Sequence, residues 1–174
     1  MKKRSNKKVN RLFSKLDKRQ LRALQRMSLE EHNDYFDRND HLKDFKDKLV
    51  GICLCQGAAT HYLNPEWGIN DFDIWHFYLE DGSKRFPYRG HKKDRKVYKE
   101  RHVDFLKTGI PLEIFQAMGR DKGSTIMAFL LKKKSVLLEQ PIVGLYPESL
   151  FGKVFWAGER RTLKNLLPAL RGKL

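Results

Sequence analysis

The stretch Asp71-Phe-Asp-Ile-Trp-His-Phe-Tyr-Leu79 limits what this chain can fold into more than any other segment. It is dense in aromatic and apolar residues and bounded by turn formers, which gives the strongest strand signal in the sequence. Alternate side chains of a strand share a face. Asp71 and Asp73 therefore point one way, while Phe72 and Ile74 point the other. Two carboxylates side by side in an apolar strand repel each other and resist desolvation, and a cation between them removes both penalties. Hard oxygen donors select Mg2+, with Mn2+ as the second choice. The competing reading is a pair of exposed acids on an edge strand. Val103-Asp104-Phe105 adds a third acid flanked by apolar residues, on a strand expected over 102–106. If the two strands pair, Asp104 joins the same face. Three carboxylates suit two divalent ions roughly 3.5–4 Å apart, the arrangement used in phosphoryl transfer.

Around this centre the pattern is that of an α/β (α+β) domain. From Arg11, the apolar residues Leu12, Phe13, Leu16, Leu21, Leu24 and Met27 recur at helical spacing. Ser28 with Glu31 has the form of a capping box that opens a second helix toward Lys46. Leu49 to Cys55 is a short buried strand, and Gly57-Ala58-Ala59 begins a helix that Asn64-Pro65 ends. Residues 84–101 read mostly as loop. Helices are expected over 112–118 and 125–134, extended segments over 142–146 and 154–156, and a closing helix over 158–170. The expectation is a mixed central sheet of four to five strands with flanking helices. Residues 1–46 form a basic N-terminal helical extension, and residues 47–174 form the domain proper.

Charge is unevenly placed. The net charge is +15, yet residues 1–27 hold eleven Lys/Arg against Asp17, and residues 84–101 hold nine against Asp94 and Glu100. The rest of the chain is close to neutral. Two basic segments on a neutral domain attract a nucleic acid or another polyanion; a solvated surface is the plainer reading. Lys92, Lys93, Arg95, Lys96 and Lys99 lie between the second and third acids and are candidates for holding phosphates. Phe86, Tyr88 and Tyr98 are interleaved there and offer stacking surfaces for a base, or loop anchors. Cys53 and Cys55 fall two apart on an apolar strand, where a disulfide is geometrically poor. They read as buried free thiols, which suits the cytoplasm. No apolar run reaches the roughly 18 residues of a membrane span.

The order Gly57-Ala58, twelve residues, Asp71-Phe72-Asp73-Ile74, then Val103-Asp104-Phe105 resembles the DNA polymerase β-like nucleotidyltransferase superfamily. The segments Cys55–Leu63 and Asp71–Trp75 also resemble a group of small bacterial proteins of that superfamily. The resemblance covers residues 45–110. It implies a nucleotidyltransferase-like fold, with Asp71, Asp73 and Asp104 as catalytic and metal-binding residues. It also implies a nucleoside triphosphate as substrate, its phosphates held at Gly57, Ala58 and the helix they begin. The chain departs at two positions. Ala58 stands where Ser is usual, with Thr60 as a substitute hydroxyl, and Gln56 stands where an apolar residue is usual. The implied activity is Mg2+-dependent transfer of a nucleoside monophosphate to an acceptor hydroxyl. A basic surface favours a nucleic acid acceptor, and a protein hydroxyl, as in toxin–antitoxin nucleotidyltransferases, is a further choice. The alternative is a non-catalytic nucleic-acid- or partner-binding module on the same scaffold.

Overall fold

A computed structural model describes residues 13–158, apart from the side chains of residues 91–93. The basic start of the chain up to Leu12 and nearly all of the expected closing helix lie outside the described residues.

The chain forms helix α1 (Lys18–Arg38), strand β1 (Leu49–Cys55), helix α2 (Gln56–Leu63), strands β2 (Asp71–Glu80), β3 (Arg89–Tyr98) and β4 (Arg101–Pro111), helices α3 (Leu112–Ala117) and α4 (Lys122–Lys132), and strands β5 (Pro141–Tyr146) and β6 (Val154–Ala157). The strands make one mixed sheet in the order β3-β4-β2-β1-β5-β6. That is six strands among the described residues, against four to five expected. β2 and β4 run parallel, and the other neighbours are antiparallel. The chain is therefore of the α+β class, and among the described residues no helix is long and apolar enough to cross a membrane.

The sheet is covered on both faces. Phe72, Ile74, Val103 and Phe105 pack with Leu21 and Leu24 of α1. Trp75, Phe77 and Leu106 pack with Ile126, Phe129 and Leu130 of α4 on the other face. Leu21 and Leu24 are fully buried, and each contributes about 2 kcal/mol of apolar burial.

Two expectations need correcting. The Ser28–Glu31 box does not open a helix, because α1 runs straight through it. The Ser28 hydroxyl instead donates to the Leu24 carbonyl at 2.7 Å. Glu31 is held by Lys107 at 3.3 Å and Arg38 at 3.1 Å. The box that begins α1 is Asp17–Gln20, with the Asp17 carboxylate accepting from the Gln20 amide at 2.9 Å and the Gln20 side chain accepting from the Asp17 amide at 2.8 Å. Second, residues 84–101 are not mostly loop: β3 occupies Arg89–Tyr98 at the sheet edge. Its charges have alternating addresses. Arg95 reaches one face, while Asp94 and Lys96 reach α1-side partners on the other. A strand this charged is well suited to an edge, where it discourages further pairing.

Candidate metal centre

The parallel β2–β4 ladder sets Asp71 opposite His102, Asp73 opposite Asp104, and Trp75 opposite Leu106. With that register the strand alternation puts all three acids on the face that α4 covers. Asp71, Asp73 and Asp104 each offer an oxygen, and these oxygens lie within 4.8 Å of one another. Asp73 is 5% exposed and Asp104 is fully buried, so their charges are largely removed from water.

The fourth member is Arg95, which the sequence offers as a phosphate holder and not as a partner of the acids. Arg95 sits opposite Asp104 across the antiparallel β3–β4 pairing. Its Nε donates to Asp104 Oδ1 at 2.6 Å. The contact with Asp104, reinforced by the fields of Asp104, Asp71 and Asp73, holds the guanidinium even more firmly charged than usual. A buried carboxylate group that draws a cation from its own chain has the donor chemistry a divalent ion requires. The Asp94-Arg95-Lys96-Val97-Tyr98 alternation carried the signal for β3, but the density of basic residues conceals it.

β1 brings the second component. Its last residue, Cys55, lies opposite Asp73, so α2 starts beside the acids. The side chain of Cys55, at the N-cap, makes no capping hydrogen bond to α2, and the first-turn amides of a helix have no intrahelical acceptors. Such an end favours anions. Gln56 makes the turn from β1 to α2 with φ of 58°, a left-handed conformation that is costly for a residue with a Cβ and is concentrated at functional sites. Gly57 leaves room at this end, since a Cβ there would meet only Trp67 Nε1, at 3.9 Å.

The other expected site residues have varied positions. Ala58 is buried among apolar residues of the α1-facing core, leaving its backbone amide as its means of meeting a phosphate. Thr60 donates its hydroxyl to the Gln56 carbonyl at 3.2 Å and to Gln140 at 3.5 Å. Lys96 is drawn to Asp34 at 3.6 Å and Glu30 at 3.8 Å on α1, the helix packed on the face away from the acids. Lys92 and Lys93 belong to β3, with side chains outside the described set. His61 is buried and donates Nε2 to the Ser14 carbonyl at 3.0 Å. Phe86 is buried and stacks on Tyr78 at 4.5 Å between centroids. Cys53 and Cys55 are free and buried. Desolvation pushes both thiols far up, which removes them as nucleophiles at neutral pH.

No family model, curated protein or solved structure matches this chain.

Proposed function

We propose that the protein is a Mg2+-dependent nucleotidyltransferase of the DNA polymerase β-like type, which moves a nucleoside monophosphate from a triphosphate to an acceptor hydroxyl. The observation that carries the reading is the convergence of Asp71, Asp73 and Asp104 beside the start of α2. Asp71 and Asp73 would hold the ions, and Asp104 would complete the cage. Mg2+ bound there supplies a lowered pKa for the attacking hydroxyl and charge neutralisation for the leaving pyrophosphate. The acceptor oxygen bonds to the α-phosphorus as the bond to the bridging oxygen breaks, and pyrophosphate leaves with that electron pair. Asp104 would help to deprotonate the acceptor hydroxyl. The first-turn amides of α2 would meet the triphosphate. Nucleic acid or protein supplies the acceptor hydroxyl, with the basic segments 1–27 and 84–101 drawing in a polyanion and the two free thiols suiting the cytoplasm.

A second reading has its own support. Ala58 supplies a buried methyl where the superfamily has a hydroxyl, and Arg95 already bonds Asp104. Both suit a binding module on this scaffold with little catalysis, such as a toxin–antitoxin component. The two separate in one experiment. The chain is incubated with Mg2+ and each labelled triphosphate in turn, with RNA, DNA and protein acceptors, and pyrophosphate release is followed. Transfer is expected for the wild type and a loss of at least about 100-fold for Asp73→Ala. Absence of turnover with every nucleotide, together with Mn2+ binding unchanged in Asp73→Ala, would exclude the enzyme.

A further inference from the structure

The two basic segments of the chain meet in space. Lys96 of β3 is drawn to Glu30 at 3.8 Å and Asp34 at 3.6 Å, which lays α1 alongside the edge strand. Tyr98 lies two residues beyond Lys96 on the same face of β3. Two strand residues cover roughly 6.6 Å, close to the rise of four helix residues. Arg26 stands four residues before Glu30, and Arg19 seven before Arg26, so one stripe of α1 carries both arginines to Tyr98. The Tyr98 phenol lies in the fields of Arg19 and Arg26, with Asp17 opposing them.

Lys99 completes the group, with its ammonium 5.7 Å from the centre of the Tyr98 ring. Lys99 and Glu100 make the two-residue turn from β3 to β4 with φ of 45° and 63°. Hairpins favour Asn-Gly in such turns, because positive φ is costly for other residues. The chain bears that strain with a lysine at the tip.

Elsewhere on these elements the fold neutralises its cations. Arg22 has Glu148, Arg38 has Glu31, and Lys96 has two acids. Arg19, Arg26 and Lys99 are exposed and have no ion-pair partner among the described residues. The Asp17 carboxylate is engaged by the Gln20 amide at 2.9 Å. Three cations left together repel one another, and a run of phosphates removes the repulsion. The positive strip is short. Glu30 and Asp34 follow Arg26 along α1, so a duplex lying on the helix would meet like charge, whereas contact with about three phosphates suits a single strand. The strip also lies near the acids. Tyr98 pairs with Arg101, and the next residue, His102, pairs with Asp71. With strands about 4.8 Å apart, roughly 10 Å separates the end of β3 from Asp71. Arg101 spans part of that gap, donating Nε to the Ile69 carbonyl at 3.1 Å.

We infer that Arg19, Arg26 and Lys99, gathered round Tyr98, hold the sugar-phosphate backbone of a single-stranded nucleic acid, whatever its sequence. The binding stands without the transfer reaction. That the free end of the strand then reaches the acids rests on that reading, and makes nucleic acid rather than protein the acceptor.

The test uses the full chain in EDTA with no triphosphate. Fluorescein-labelled twelve-residue oligothymidylate and oligouridylate are titrated by anisotropy at about 50 to 200 mM salt. Saturable binding is expected, with log K falling against log salt at a slope of about −2 or steeper, since each phosphate on a single strand contributes about −0.7. Arg19→Ala combined with Arg26→Ala, at exposed helix positions, should weaken binding at least about tenfold and make the slope shallower by about 1.4. Lys132→Ala combined with Lys133→Ala removes the same charge at the end of α4 and should stay within about twofold. Equal losses in the two pairs would mean that net charge alone acts, and would overturn the surface. So would a duplex of the same length bound as tightly as the single strands, or displacement by polyglutamate of equal charge. Tighter binding of RNA or of DNA assigns the sugar, and equal binding assigns the backbone alone; each supports the surface. Asp73→Ala should keep oligonucleotide affinity within about twofold while losing pyrophosphate release, and the arginine pair should raise KM for the strand with kcat within about twofold. Binding without turnover removes the transfer reading and leaves the surface standing, and turnover without binding does the reverse.

Discussion

Acid should unfold this protein by a route that leads through two histidines on the α1 face of the sheet. His76 is fully buried and donates Nε2 to the Ser28 carbonyl of α1 at 3.1 Å. His32, on α1, meets the Tyr78 hydroxyl through Nδ1 at 3.0 Å. Desolvation, then the positive field of Lys107, lowers His76 to about 3. Desolvation, then Lys46 and Lys107, lowers His32 to about 4, with Asp47 opposing. Below about pH 6.5 the unfolded chain takes up a proton at each ring, while the folded chain takes up neither until far lower. The folded state is therefore fully favoured above that pH and loses ground as pH falls. Between pH 7 and 4.5 the loss is roughly 2.5 kcal/mol per ring, or about 5 kcal/mol for the pair. That is a large share of a typical domain's 5–15 kcal/mol. Urea unfolding followed by far-UV circular dichroism at half-unit steps from pH 7 to 4.5 measures it. Between pH 6 and 5 the wild-type slope should exceed that of His76→Asn by about 1.2 kcal/mol per pH unit. Carboxylates lowered by their own partners, such as Asp121 and Glu148, are common to both proteins and cancel. Equal slopes would refute the reasoning, because they would mean that His76 titrates alike in both states.

Three further outcomes follow from the same packing. Lys107→Met should destabilise the fold by about 3 kcal/mol in urea titrations, since it leaves the buried Glu31 and the nearly buried Asp94 without the ammonium that now lies 3.3 Å and 2.9 Å away. Arg95→Ala should tighten Mn2+ binding about tenfold at low ionic strength by removing a cation that competes at Asp104, read by electron paramagnetic resonance; weaker binding would show that Arg95 supports the centre instead. Gly144→Ala should lower the melting temperature by several degrees, because a Cβ at that position runs into the Leu150 carbonyl and main chain.

The acids were legible because two physical rules coincide on short words. Strand alternation puts Asp71 and Asp73 on one side, and apolar flanks mark Val103-Asp104-Phe105 as interior. What the sequence could not show was the partner each charge would find. Lys107 looks like a solvent-facing residue in a strand, yet it is fully buried, with its ammonium 4.4 Å above the Tyr35 ring. The acids that make this possible, Glu31 and Asp94, come from 76 and 13 residues away. Arg95 was hidden for a related reason: in a segment with nine basic residues, no local rule says which one turns inward. Ser28 and Glu31 failed as a cap because α1 runs through them: the Ser28 hydroxyl turns back to the Leu24 carbonyl within the helix, and Glu31 goes to Lys107 of β4, a partner invisible at a separation of three residues.

The ten-pair parallel ladder between β2 and β4 separates the chemistry from what surrounds it. Register between those strands is held by their own hydrogen bonds and by buried side chains on both faces, and a slip of one residue would turn Asp104 to the opposite side. The connecting segment at 81–88 takes no part in that ladder. Lengthening or rewriting its exposed residues, with the buried Phe86 kept, would leave the carboxylates where they are and change only the surface beside them. A lineage could therefore reshape the surface next to the centre by editing the exposed part of one stretch of chain, at no cost to the carboxylates.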